Sequence, residues 1–234
     1  MTEDRRRRLL ALLAANGDGV SSVLGRICAL AVSELGVTGA GVTLIDRGGG
    51  VDVQQRLVKA SDAVATRLED LQLTVGEGPG LTAVTSGTSV LIPDLTQAHG
   101  RWPAFAPEAL AVGACAVFAF PLTLGAVRLG SLDCYRTTTG TLGPVQHADA
   151  LVLAELAFEA IMAEVAGHDR DDLGWIGDTH GEVHQASGMV SYNLGVTIAT
   201  ALLRIRGYAY ANELSVAAVA RSIVTRELSL EREE

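Results

Sequence analysis

Residues His184 to Val224 read HQASGMVSYNLGVTIATALLRIRGYAYANELSVAAVARSIV, and this stretch decides the fold of the C-terminal part of the chain. Apolar residues recur in it at the spacing of an amphipathic helix, in three successive groups. The groups are Val183, Ala186, Val190 and Leu194, then Ile198, Ala201, Leu202, Ile205 and Ala209, then Val216, Val219, Ala220, Ile223 and Val224. Gly195 separates the first two helices, and Ser215 is suited to cap the third. Three short amphipathic helices predict a small bundle around a shared core.

The motifs HQASGMV, RIRGYAYA and AAVARSIV, in this order, resemble the ANTAR domain, a bacterial module that binds paired RNA hairpins and so prevents transcription termination. The resemblance covers all three helices. The residues that fall on family motif positions are Gly188, Arg204, Ile205, Arg206, Ala209, Val219 and Ala220. The chain departs at Ser187, where many members have lysine or threonine, and at Leu214, where a basic residue is frequent. The resemblance implies RNA binding by two such bundles, one for each hairpin.

The candidate RNA-binding residues lie on all three predicted helices. On the second helix Arg204 and Tyr208 are four apart, so an arginine that can fork onto phosphate sits beside a ring that can stack on a base. The same helix carries Arg206 four residues before Tyr210. The whole predicted set is His184, Gln185, Arg204, Arg206, Tyr208, Arg221 and Arg226. The alternative is a solvated face whose arginines stack on tyrosines or complement a helix dipole.

Composition places limits on both binding and chemistry. The chain has 234 residues, a formal net charge of -9 and 48% hydrophobic residues, enough for conventional cores but unfavourable for non-specific binding to nucleic acid. Between His180 and Leu230, four arginines face three glutamates, so the acidity lies mostly elsewhere. Cys28, Cys115 and Cys134 are far apart in apolar surroundings, which indicates buried free thiols rather than a disulfide or a metal site. We expect no metal and no cofactor.

Two apolar segments raise the question of a membrane protein, and neither of them indicates one. Residues 1–19 combine Arg5 to Arg8 with a short apolar run and are interpreted as a tail or a short helix rather than a signal peptide. The uncharged stretch from Ala109 to Val127 is interrupted by Gly113 and Pro121 and is better read as a buried strand and turn than as a membrane span. We therefore expect a cytoplasmic protein.

The middle of the chain predicts an antiparallel sheet flanked by helices, so that the whole fold class is α+β. The predicted helices are Val20 to Leu35, Ala63 to Leu71 and Leu81 to Ser86; the predicted strands are Ala40 to Asp46, Val51 to Ala60, Ser89 to Ile92, Ala114 to Leu122 and Val127 to Tyr135. Asp94 to Pro107 is predicted to be a long irregular connection. The turn-dense GEGPG at Gly76 to Gly80 has neither phosphate-loop nor dinucleotide spacing.

GEGPG, the Asp94-Leu95 pair, FPL at Phe120 to Leu122 and LGSLDCYR at Leu129 to Arg136 resemble a GAF domain, which forms a small-molecule pocket on such a sheet. Together with the bundle, this order is similar to the GAF-ANTAR regulators of bacteria. The predicted pocket residues are Trp102, Phe105, Phe118, Phe120, Asp133 and Tyr135. They combine apolar walls with one charged group, and the alternative is that they are ordinary core.

The predicted organisation is a GAF-like domain over residues 20–166, a linker over 167–180, the bundle over 181–230 and an acidic tail over 231–234. The apolar helix within 145–166 is expected either to pair with a second copy or to cover its own domain. Trp175 and Ile176 are candidates to dock the linker. The predicted function is a dimeric, non-enzymatic regulator that responds to a signal and binds tandem RNA hairpins. Two alternatives are a ligand-binding or assembly protein without RNA affinity and a GAF-fold thiol reductase.

Overall fold

A computed structural model describes residues 2–15, 22–47, 53–167, 181–212 and 214–230. Its centre is a five-stranded antiparallel sheet with strand order β2-β1-β5-β4-β3, and the C-terminal part is helical. This confirms the predicted α+β class. The predicted linker beyond Gly167, with Trp175 and Ile176, and the acidic tail lie outside the described residues.

The elements alternate in the order that the sequence predicts, with two additions. The strands are β1 Gly39–Arg47, β2 Val53–Ala60, β3 Val90–Ile92, β4 Ala116–Leu124 and β5 Val127–Arg136. The helices are α1 Thr2–Ala15, α2 Val23–Leu35, α3 Ala63–Val75, α4 Pro79–Ser86, α5 Phe105–Ala111, α6 Pro144–Gly167, α7 Gly181–Leu194, α8 Ile198–Ala211 and α9 Val216–Val224. The additions are a short 3₁₀ turn at Leu95–Ala98, inside the segment predicted to be irregular, and α5, which begins in that segment and ends beyond it.

The helix α5 forms because of a contact that local sequence does not reveal. Its first amides have no helical acceptor, as at every helix start. The Glu77 carboxylate, far away in the chain, accepts from the backbone amides of Ala104 and Phe105 at 2.7 and 2.9 Å. The prediction of an irregular connection is therefore wrong over 105–107, since a distant side chain supplies the cap. The interpretation of Ala109 to Val127 as a buried strand and turn is wrong over 109–111, which belong to the same helix.

The two faces of the sheet carry different layers. Helices α2 and α6 cover one face, and α1 packs on both of them. Helices α3 and α4 cover the other face, and α5 packs on α3. In β4 and β5 alternate residues point to opposite faces, so Phe118 and Phe120 join the first layer while Val117 and Tyr135 join the second.

The N-terminal helix α1 is part of the domain. Leu9 is fully buried in the core beneath it. Its arginines face acidic side chains: Arg5 and Arg8 both reach Asp149, at 2.6 and 2.7 Å, and Arg6 reaches Glu159. Of the two readings left open, a tail or a short helix, the structure has the helix, over Thr2–Ala15.

The long helix α6 mainly covers its own domain. Its buried residues pack against α2, β4 and α1. Leu151 and Met162 remain exposed, and they are eleven residues apart, so they lie on the same side of the helix. The use of that side for pairing with a second copy stays a prediction.

The C-terminal helices form the predicted three-helix bundle. Ser215 caps α9 by accepting from the Ala218 amide at 3.1 Å, and Gly195 follows α7 with a positive φ of 66°. The core residues are Val183, Ala186, Val190, Leu194, Ala201, Ile205, Ala209, Val216, Val219, Ala220 and Ile223. Within the described ranges no single helix is long and apolar enough to cross a membrane, although α7 and α8 pass that test as a pair bent by 108°.

Candidate functional sites

A pair of carboxyl groups lies buried between the sheet and α3. Glu69 on α3 is 3% exposed and Asp133 on β5 is 8% exposed. Glu69 accepts hydrogen bonds from the Thr43 hydroxyl at 2.9 Å and the Gln72 amide at 3.0 Å. Asp133 accepts from the Ser131 hydroxyl at 2.9 Å and from the same Gln72 nitrogen at 3.2 Å. Gln72 therefore ties the two carboxyl groups together.

Burial changes the ionisation of this pair. It raises the pKa of Asp133 to about 6, and it raises the pKa of Glu69 well above its usual range, with the charge of Asp133 as the next cause. Among the described residues, Asp133 Oδ1 has no hydrogen-bond partner although it is buried. Glu69 thus keeps its proton to higher pH than an ordinary glutamate, and the pair carries less charge than two separate carboxylates.

The GEGPG loop closes over the pair. A Cβ on Gly80 would overlap Asp133 Oδ2, and a Cβ on Gly78 would come within 2.5 Å of Gln72 Oε1. The Gly80 amide donates to that Gln72 oxygen at 2.8 Å. Glycine is therefore required at both positions by close approach, and the loop, Gln72 and the carboxyl pair form one connected unit.

The six predicted pocket residues do not all meet. Phe105, Asp133 and Tyr135 line the cavity beside the carboxyl pair. Trp102 lies behind it, where its ring meets Phe105 edge to face and its indole nitrogen donates to Thr82. Phe118 and Phe120 point to the opposite face of the sheet. The predicted pocket is corrected accordingly, because residues on β4 alternate between faces.

The cavity itself is nearly filled. Its volume is about 20 Å³, and its lining includes Ala65, Leu68, Glu69 and Gln72 of α3. This is space for roughly one water molecule, whereas small-molecule pockets usually measure about 300–1,000 Å³. A larger ligand must therefore displace α3, the GEGPG loop or Phe105 of α5. Glu69 and Gln72 were missed at the level of sequence, although two polar residues three apart on an otherwise apolar helix face were a readable signal.

The cysteines are poorly suited to thiol chemistry. Cys28 and Cys134 are buried, and burial raises the pKa of the Cys28 thiol to about 12 and that of Cys134 well above its ordinary value. Cys115 is half-buried. Thiolate is the reactive form, so the two buried cysteines stay in the unreactive form near neutral pH. Within the described part of the chain, no group of three or more His, Cys, Asp or Glu side chains could hold a metal ion.

On the bundle, Arg204 and Arg206 face different surroundings. They are two residues apart on α8, which places them about 200° apart around the helix axis. Arg204 and Tyr208 are half-buried, and Tyr208 packs against the bundle core. Arg206 turns towards α3, where its Nε donates to the Leu73 carbonyl at 2.7 Å, and burial lowers the pKa of its guanidinium. The structure does not bring the two arginines together.

The other predicted RNA-binding residues divide between two places. Arg221 is exposed and pairs with Glu182 at 3.1 Å, near the half-buried His184. Gln185 and Arg226 both line a groove of about 720 Å³ between α7 and residues 226–230. Among the described residues, Arg226 alone of the non-glycines has a positive φ, 64°.

The groove also holds residues that the sequence did not single out. Tyr192, which is 89% exposed, and Asn193 follow Gln185 along α7 and line the same groove. Gln185, Met189 and Tyr192 are spaced four and three apart, so one side of a helix presents them together. That spacing could have been read from the sequence, whereas the opposite wall, from Arg226 to Leu230, depends on the turn after α9.

Solved structures identify the fold of the N-terminal part. The GAF domain of a phosphoenolpyruvate-protein phosphotransferase from Acinetobacter matches with a TM-score of 0.54 and 14% identity, over 73% of this chain and 98% of that one. The corresponding GAF domain from Coxiella burnetii matches with a TM-score of 0.54 and 15% identity, over 71% and 95%. A domain of a putative two-component sensor histidine kinase from Sinorhizobium meliloti 1021 matches with a TM-score of 0.53 and 16% identity, over 66% and 99%.

These likenesses show a GAF fold, and at such identities they show the fold alone. No protein-family model matches the chain. No curated protein matches it either.

Proposed function

We propose that this protein is a dimeric, signal-responsive regulator whose C-terminal bundle binds paired RNA hairpins and so prevents transcription termination. The observation that carries the proposal is the groove on the bundle, where an almost fully exposed Tyr192 stands with Gln185, Asn193 and Arg226 around about 720 Å³. A ring for stacking, amides for base edges and a guanidinium for phosphate are the groups that recognise unpaired RNA bases. The ANTAR-like motifs lie on the same three helices.

Two copies are needed because one small bundle offers room for one hairpin. The exposed side of α6, with Leu151 and Met162, is the proposed pairing surface. Each copy would then present one groove, and the GAF-fold domain would sense a small molecule that sets the relation between the two. We expect Leu151→Glu to yield a monomer in sedimentation equilibrium, and a dimer that persists would overturn this surface.

Binding to a tandem-hairpin RNA and to its scrambled counterpart, measured over a range of salt concentrations, tests the RNA proposal. Arg226→Gln should weaken binding about tenfold and lower the salt slope by about one, since one phosphate contact is lost. Tyr192→Ala should weaken binding about tenfold with the slope unchanged, because base stacking is uncharged. The matched control is Arg7→Ala, which removes the same charge from an exposed arginine on α1 that pairs with Asp4.

A second candidate is a ligand-binding or assembly protein without RNA affinity. The burial of Arg206 and the pairing of Arg221 with Glu182 favour it, because both leave less free basic surface on the bundle. Absence of binding to either RNA at low salt would select this candidate. No observation supports the thiol reductase, and the raised pKa values of the Cys28 and Cys134 thiols argue against it. We propose no enzymatic role.

A further inference from the structure

The bundle rests on the C-terminal turn of α3. Leu73 belongs to the N-terminal domain by sequence, yet its side chain, 2% exposed, packs in the core of the bundle. The next residue, Thr74, accepts a hydrogen bond from the Val216 amide at the start of α9, at 3.3 Å. Two helices of the bundle, α8 and α9, therefore meet the same turn.

Arg206 completes this contact by capping α3. The last carbonyls of a helix have no amide donor within the helix, and the helix dipole makes that end attractive to a cation. The Arg206 guanidinium donates to one of these carbonyls, that of Leu73, at 2.7 Å. It also covers Gly76, where an added Cβ would lie 3.2 Å from Arg206 Nη1. An arginine placed in this way is withdrawn from any RNA.

The same helix forms one wall of the buried cavity. Glu69 and Gln72 hold the carboxyl pair together, and Gln72 is the direct neighbour of Leu73. The GEGPG loop makes a second connection, since its first glycine, Gly76, lies under Arg206 and its last, Gly80, lies against Asp133. A ligand larger than the cavity of about 20 Å³ must shift α3, this loop or Phe105 of α5, and the first two of these contact the bundle.

We infer that residues Leu73 to Gly76 form a latch between the two domains: it holds the bundle against α3 with Arg206 half-buried and bound to the Leu73 carbonyl, and a change in the Glu69–Asp133 cavity that moves α3 releases it. The effect on RNA rests on the proposed function, whereas the docking does not. The closed state binds RNA weakly, because Arg206 serves α3 instead of phosphate. The open state frees one further arginine of each bundle, on α8, to contact phosphate.

The test compares two leucine truncations on α3. Leu73→Ala removes the side chain that enters the bundle, and Leu71→Ala removes an equal side chain that packs within the N-terminal domain. Spin labels on Ala126→Cys and Ala218→Cys, both exposed positions outside the groove, report the separation of the domains in a Cys115→Ser background. We expect a longer and broader distance distribution for Leu73→Ala only, together with RNA binding about fivefold tighter or more.

Thr74→Val serves as a second variant that keeps the shape of the side chain and removes the acceptor for Val216, together with the hydrogen bond that the Thr74 hydroxyl donates to the Asp70 carbonyl within α3. It should also lengthen the distance between the spin labels, by a smaller amount. If Leu73→Ala does not fold, this variant tests the latch in its place. Unchanged distances in the folded variants overturn the latch, whatever the RNA results. An opened protein whose RNA binding responds to Arg226→Gln but not to opening overturns the inhibitory role of the latch. An opened protein that binds no RNA at all supports the latch and overturns the proposed function instead.

Discussion

The two faces of the sheet are filled in opposite ways. On one face, Phe118 and Phe120 of β4 pack with Leu132 and Cys134 of β5 beneath α2 and α6, and the layer is apolar. On the other face, one residue along in β5, Asp133 lies buried with Glu69 under the GEGPG loop. The strands are the same, and the alternation of their side chains separates the two environments.

This difference shows where a signal can enter. The apolar face is held by close packing of its side chains, so it tolerates little change in side-chain volume and has one stable arrangement. The polar face depends on particular donors for two carboxyl groups, and its arrangement responds to any group that competes for those donors. It is also the face that reaches the bundle, through α3. We therefore expect the two faces to respond differently to substitution.

The largest effect should come from the apolar face. Phe118→Ala should lower the free energy of unfolding by about 3–5 kcal/mol, because it leaves a cavity among buried side chains that cannot close it. Urea denaturation followed by circular dichroism measures this change. Leu124→Ala, at the end of the same strand and 67% exposed, is the control and should change stability by less than about 0.5 kcal/mol. Similar losses for both variants would contradict a tightly packed apolar face.

On the polar face, Gly80→Ala should cost about 1–3 kcal/mol. The new methyl group would push the Asp133 carboxylate away from the Ser131 hydroxyl and the Gln72 amide that hold it. In an Asp133→Ala background the same substitution should cost less, because the carboxylate is gone and only Ser131 Oγ, 2.7 Å from the added Cβ, still obstructs it. Equal costs in both backgrounds, measured by urea denaturation, would show that the loop does not rest on Asp133.

The pH dependence of stability should come next in size. The folded pKa of Asp133 is raised to about 6, and that of Glu69 is raised well above its usual value. The unfolded chain releases these protons near pH 4, whereas the folded chain holds them longer, so the pair makes stability fall as pH rises from about 4 through 6. Asp133→Asn should remove roughly 1–2 kcal/mol of this fall, seen as a smaller difference between urea midpoints at pH 5 and pH 7.5. A steeper fall in the variant would be inconsistent with a buried, shared proton.

The sequence predicted the strands and most helices because each depends on local periodicity. It did not predict α5, since its cap, Glu77, comes from another segment. The site was predicted in part. Alternation within β5 separates Asp133 from Cys134, but which residues of β4 share the face of Asp133 depends on the register, in which Ala119 and not Phe118 lies opposite. The contact between Arg206 and the Leu73 carbonyl was beyond prediction, because a backbone acceptor leaves no mark in the sequence.

The smallest effect on stability should come from replacing the half-buried Cys115, and its reactivity can be compared with that of the buried Cys134. Cys134 faces the apolar layer next to Asp133, and burial keeps its pKa well above the ordinary value, so it should not react with a thiol reagent in the native protein. Cys115 is half-buried and should be the one that reacts. Cys115→Ser should abolish native labelling and change stability by less than about 0.5 kcal/mol, while labelling in denaturant still finds the two remaining cysteines. Rapid native labelling of Cys134 would mean that the apolar face opens readily, and the contrast between the two faces would then fail.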